Sequence, residues 1–430
     1  MLRRATRRLA LAAGAALVLP ALATSAHAQT GSAASAPLQL ADSAVRASTT
    51  TIGGASVLPT TKTVAHWFGT ATNPDNGITY GFNMVGTDPA TDPTTTTVAT
   101  DIVPVTVVVN GMTFDAASVL TPTLDSPVFA VNDYSRTKWV TSAKGGYASG
   151  CALSAGNSGV QLEDATMRSQ FNQTGSSPYH LVLQPKVQQG ITITVPSNEG
   201  TTIQTPRGVV AADVNIEWWA AQIQNLNASL GFIDPTHLPI YLTNNVMLYI
   251  GTNPYNCCVI GFHGAGETPG SGSSSTNGSG DQAVQTYAWA SWMTPGFFNP
   301  SSAWTLQDVN ALSHEIAEWA DDPFTNNTVQ PWLTPTAPQY GCSGLLETGD
   351  PVVGIGFTMG SNTFEQGPTP NGTQVADGYY HPEDEVFMPW FMRLDPNTVS
   401  QPVQHGSTGR YTLMGNLNPY PGFKVPATGC

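Results

Sequence analysis

Residues 305–320 hold the strongest helical signal in the chain. Apolar side chains recur at Leu306, Val309, Leu312, Ile316, Trp319 and Ala320, which gives one stripe able to pack on a core. Ala311, His314, Glu318 and Asp321 fall on another face, which leaves that face for a cleft. Thr305 followed by Asp308 predicts an N-terminal capping pair, and Pro323 predicts the stop. Asp321 and Asp322 break a local rule, because acids at a helix C-terminus oppose its dipole. They read either as a functional pair or as acids solvated beyond the last turn.

Within that helix stands His314-Glu315-Ile316-Ala317-Glu318. His314 and Glu318 are four apart and project from one side, where a divalent cation can bridge them. The zinc-protease signature HExxH has the same geometry with histidine in the second ligand position. A zinc hydrolase needs a third protein ligand and an open position for water. Glu347, in Leu345-Leu346-Glu347-Thr348-Gly349-Asp350, is the third candidate, at a separation comparable to that of zincins with a downstream glutamate ligand. Asp350 then orients His314 from behind. Glu315 takes the role of general base, and His381 that of oxyanion stabiliser, with Tyr379 and Tyr380 as alternatives. His263, at the end of an apolar strand, reads as a supporting hydrogen-bond donor. As a fourth ligand it would close the site and make the metal structural. One histidine and two glutamates neutralise Zn²⁺ fully, which weakens it as a Lewis acid and also suits Mn²⁺ or Ca²⁺.

The rest of the chain sets the context. Arg3, Arg4, Arg7 and Arg8 precede an apolar stretch over 9–23 and a small-x-small site at Ala26-His27-Ala28, the pattern of a signal peptide over 1–28. Thr6-Arg7-Arg8 before Leu11 also resembles a twin-arginine signal. The expected product is secreted, extracellular or periplasmic. The apolar stretch is too short to span a bilayer, and no later one is long enough. Formal charge is −14, and loss of the leader's four arginines takes it to −18. Nucleic acid and anionic membrane surfaces are poor partners for such a chain, whereas a peptide or cell-wall polymer is compatible. Only 10% of residues are charged, while Gly and Pro number 42 and 33, a balance suited to β-structure with many turns.

The expected fold is α+β. An Ala/Ser/Thr-rich arm covers 29–60 and a β-rich region covers 61–205, with strands over 98–109, 179–185 and 191–195 and a short helix over 164–173. The run over 98–109 ends in the Asn110-Gly111 turn. A zincin-like domain covers 206–430, opened by a helix over 209–230 and followed by strands over 238–242, 246–250, 258–262 and 285–292. Residues 264–280 read as a Gly/Ser/Thr loop. Glu383-Asp384-Glu385 reads as a solvated run, a helix cap or a calcium site. Trp218, Trp219, Trp289, Trp292, Phe297 and Phe298 read as core. Among Cys151, Cys257, Cys258, Cys342 and Cys430, a bridge between the adjacent pair is disfavoured, so one of them is expected to bond elsewhere.

Gly261-Phe262-His263, then Tyr287-Ala288-Trp289, then Leu312 through Glu318 with Asp322-Pro323, then Glu347-Thr348-Gly349-Asp350, resemble the phosphate-induced protein 1 (EXORDIUM-like) family over residues 240–352. That family shows a GFH, an HELAE helix near a proline and an EIGD motif in the same order. The resemblance implies an extracellular, cell-wall-associated protein and a common grouping of His314, Glu318, Glu347 and Asp350. It supplies no substrate.

Overall fold

The computed structural model describes residues 50–52, 55–57, 62–132, 138–141, 159–173, 175–204, 208–267, 283–294, 307–333, 342–353, 355–362, 364, 378–394, 411–412 and 430. The expected leader, most of the arm, Cys151, Phe297, Phe298 and Thr305 lie outside these residues. Strands outnumber helices in a mixed α+β arrangement.

The main sheet is built on β1 (Thr95–Val109), a long strand rich in β-branched residues. It turns back at Asn110 and Gly111, both at positive φ, into Met112–Phe114. After α1 (Leu162–Gln170), β2 (His180–Val187) pairs parallel to the first half of β1. β3 (Leu238–Asn244) pairs parallel on the other side. The sheet therefore joins strands from either side of residue 205. β4 (Gly261–Glu267) is an antiparallel edge strand against β5 (Val284–Trp292), which runs parallel to β3. Every residue of β5 is buried, as expected of a strand covered on both faces. The helix α2 (Asn310–Asp321) packs across β5 and β4. Trp319 Nε1 donates to Thr286 Oγ1 of β5 at 2.9 Å, which fixes the helix against the sheet.

Several expectations change here. The helix expected over 209–230 is a strand, Val210–Asn215, followed by a helix, Ile216–Ser229. Asn215 caps that helix through its side chain, which accepts from Trp218 N, and Ala212–Asn215 pair in parallel with Val246–Tyr249. The loop expected from 264 begins later, because β4 continues through Glu267 in register with β5; residues 268–280 lie outside the description. Trp219, Trp289 and Trp292 are core, with Trp219 and Trp289 packed edge to face. Cys257 is bonded to Cys258, and Cys342 to Cys430, so the adjacent pair bond to each other, against expectation. No helix among the described residues is long and apolar enough to cross a membrane.

Candidate metal centre

The helix α2 differs from the amphipathic element the sequence predicts. It starts at Asn310, not Thr305, and all twelve residues are buried. Asp308 does not cap it in the expected way. Its backbone takes a φ of 43°, and its carboxylate accepts from His381 N at 3.0 Å and faces His381 Nδ1 at 2.8 Å. The face expected to border a cleft is enclosed by β4, by residues 347–350 and by residues 383–385.

His314 sits at the centre. Its Nε2 lies 3.1 Å from Glu318 Oε1, the contact expected of residues one turn apart. The same nitrogen is 3.9 Å from Asp350 Oδ1, and Nδ1 is 3.4 Å from Glu383 Oε2. His263 enters from β4, with Nδ1 3.5 Å from both Glu315 Oε2 and Glu318 Oε2. Its Nε2 is 3.8 Å from Glu347 Oε2. Two sets of ligand atoms can each hold a metal ion: His263 with Glu318 and Glu347, and His314 with Glu318 and Asp350. In each set the atoms lie within 4.8 Å of one another. The trio His314, Glu318 and Glu347 is thus divided between two sets, and His263 and Asp350 each contribute a ligand-capable atom.

Glycines make this approach possible. A Cβ on Gly261 would meet Glu315 Oε1 at 2.6 Å, and a Cβ on Gly349 would collide with the His314 ring. Gly349 N also donates to Glu318 Oε1 at 3.3 Å. The glycines of Gly261-Phe262-His263 and Thr348-Gly349-Asp350 therefore serve the site by having no side chain.

The electrostatics follow from burial. His263, His314, Glu315, Glu318 and Glu347 are all 0% exposed. Burial alone would lower the basicity of His314, but Glu318 and Glu383 outweigh it and hold the imidazole well above its usual range. Burial opposes the same shift in His263, where Glu315, Glu318 and Glu347 reverse it. Burial pushes Glu315 up to about 7, with His263 pulling the other way. Two buried imidazoles facing this many acids form a pocket that attracts a cation.

The acids at the helix end are not solvated. Asp322 accepts from Asn326 N at 3.0 Å and from Asn327 N at 3.1 Å. Burial and the nearby Glu347 push Asp322 well above the usual carboxylate range. Asp321 accepts from Gln170 Nε2 at 2.7 Å, and burial pushes it up to about 7. Glu383, Asp384 and Glu385 are buried as well, which overturns their reading as a solvated run or helix cap. Glu383 is the site residue the sequence missed; its one signal was an acidic run set directly before the apolar Val386-Phe387. His381 is held by Asp308 and by Gln307 Nε2, 2.9 Å from its Nδ1, and neither partner belongs to the two ligand sets. Tyr380 donates its hydroxyl to Pro122 O at 2.8 Å, and Tyr379 is partly exposed.

No protein-family model, curated protein or solved structure matches this chain.

Proposed function

We propose that this chain is a secreted metal-dependent hydrolase of the HExxE type, with peptides as the leading substrate class. One observation carries the reading: two imidazoles and the carboxylates of Glu315, Glu318, Glu347 and Asp350 converge from an edge strand, a helix and a downstream segment. The donors are mixed nitrogen and oxygen, which suits Zn²⁺ and admits Mn²⁺ or Ca²⁺. Glu318 would hold the ion together with His263 and Glu347, or together with His314 and Asp350. A divalent cation there supplies Lewis acidity toward a carbonyl oxygen and toward water.

The protein's own groups supply the rest. Glu315 sits at the ligands without occupying the ligand position of Glu318, and its carboxyl, near neutral in affinity for protons, is suited to take one from water at physiological pH. His263 beside it steadies the ionised form. Glu383 faces His314 Nδ1 at 3.4 Å, which orients the ring and leaves Nε2 toward the metal position. The antiparallel edge strand over the motif helix is consistent with a zincin-like half, and the motif order shared with the phosphate-induced protein 1 family points to the same grouping.

A second reading has its own support. The described groups are completely buried, and His263 stands with Glu318 and Glu347, as a closed structural site would have it. Here the cation clamps helix, edge strand and downstream segment in an extracellular binding protein. Glu315→Gln separates the two. Hydrolysis lost with the metal retained supports the enzyme. A silent Glu315→Gln, with His314→Ala lowering the melting temperature, supports the clamp.

A further inference from the structure

We propose that the cluster holds two divalent cations, with the Glu318 carboxylate bridging them. This rests on the reading that the cluster binds metal and goes beyond it in number and arrangement. The two ligand sets have one member in common, Glu318. Each otherwise has one imidazole and one terminal carboxylate: His263 with Glu347, and His314 with Asp350. The shared side chain divides its oxygens between them. Oε1 faces His314 Nε2 at 3.1 Å and Oε2 faces His263 Nδ1 at 3.5 Å. A carboxylate spread between two imidazoles in this way has the geometry of a bridge, which spaces two ions about 3.5–4 Å apart. Topology provides the two sides. His314 lies one helical turn below Glu318, and His263 reaches across from β4, so the imidazoles approach from different elements.

Charge supports the same count. Glu315, Glu318, Glu347, Asp350 and Glu383 all lie within ion-pair reach of the two imidazoles. Glu318, Glu347, Asp350 and Glu383 alone carry four negative charges when ionised. With both rings neutral, as metal ligation requires, one dication balances two of them and two dications balance all four. Buried charge left unpaired is costly, so the pocket favours the second ion.

The test uses the chain purified intact, stripped with chelator, loaded with manganese(II) chloride and desalted. Metal content and the electron paramagnetic resonance spectrum are read together, with circular dichroism to confirm the fold. The expected result is two manganese ions per chain with an exchange-coupled spectrum. Glu347→Gln and Asp350→Asn should each retain one ion with an ordinary uncoupled spectrum, and they keep the test decisive should Glu318→Gln fail to fold. One uncoupled ion per wild-type chain overturns this proposal and leaves the hydrolase reading standing. Two uncoupled ions overturn the bridge. No bound manganese overturns the proposal and the metal reading together. Two coupled ions without hydrolysis support the proposal and remove only the enzymatic reading.

Discussion

His314 Nδ1 lies 3.4 Å from Glu383 Oε2, so the motif histidine is held from behind by an acid of the C-terminal segment. The contact assigns the two ring nitrogens different tasks. Nδ1 faces Glu383, and Nε2 faces Glu318 and Asp350. Partners of this kind orient metal-binding imidazoles and raise their basicity. Glu383→Ala is expected to weaken metal affinity by about 10–100-fold, read by competition with a chromophoric chelator. Unchanged affinity would show that Glu383 does not orient the ring.

Glu315 is the second point of attack. Its role as a base predicts that Glu315→Gln lowers the turnover of a peptide substrate by about 10²–10⁴-fold with metal content unchanged. Metal content is measured beside turnover because Glu315 also faces His263 at 3.5 Å. Loss of metal in the variant would make Glu315 a ligand and not a base.

Asp213 predicts a pH dependence away from the metal site. It is 0% exposed on the strand Val210–Asn215, and neither carboxylate oxygen has a hydrogen-bond partner among the described residues. Burial pushes it up to about 8. The folded chain therefore keeps a proton that the unfolded chain releases near the ordinary carboxylate value. Its contribution to stability is fully present in acid and is lost as pH rises from about 4 to about 8, by up to ~1.4 kcal/mol per unit. Asp213→Asn should remove that slope and raise the melting temperature at pH 8 relative to wild type. An identical slope in both proteins would contradict the assignment.

Asp322 holds the segment after α2 through the amides of Asn326 and Asn327. Asn327 in turn donates to Asn83 O and Asp321 O, both at 2.7 Å, tying the helix end to the strand Thr79–Val85. Asp322→Ala strands two buried amides and should destabilise the fold by about 2–4 kcal/mol. Urea denaturation checks this, and a loss under 1 kcal/mol would show that solvent replaces the carboxylate.

The Cys342–Cys430 bridge closes a long stretch of chain, with a sequence separation of 88. In the chain-entropy account a loop of that size is worth about 4–5 kcal/mol. Cys342→Ser with Cys430→Ser should lower the denaturation midpoint accordingly, and a midpoint equal to wild type under non-reducing conditions would exclude the bridge.

The ligands that could be read from the sequence were those whose spacing is fixed by local geometry. His314 and Glu318 are one helical turn apart wherever the helix goes, and Glu347-Thr348-Gly349-Asp350 sets two carboxylates close together in one short downstream segment. Glu383 has no such spacing, and an acidic triplet is ordinarily solvated, so only the packing of the C-terminal segment against α2 reveals it. Asp308 looked like a helix cap because caps are read from neighbours in sequence, whereas its partner His381 is brought in by tertiary structure. The strand Val210–Asn215 was hidden for the opposite reason. Its apolar residues run into those of Ile216–Ser229 without a composition break, and only Asn215, a good N-cap, marks the change. The burial of α2 on every side was not legible at all, since His314, Glu318 and Asp321 suggested a wet face that other segments in fact cover.

The most direct test of the account is an anomalous-difference map from a crystal of the intact chain grown with zinc and measured at the zinc edge. The account predicts anomalous density beside Glu318, within about 2.0–2.2 Å of a Glu318 oxygen and of an imidazole nitrogen of His263 or His314. A map with no peak there, with His314 still bonded directly to Glu318, would contradict it.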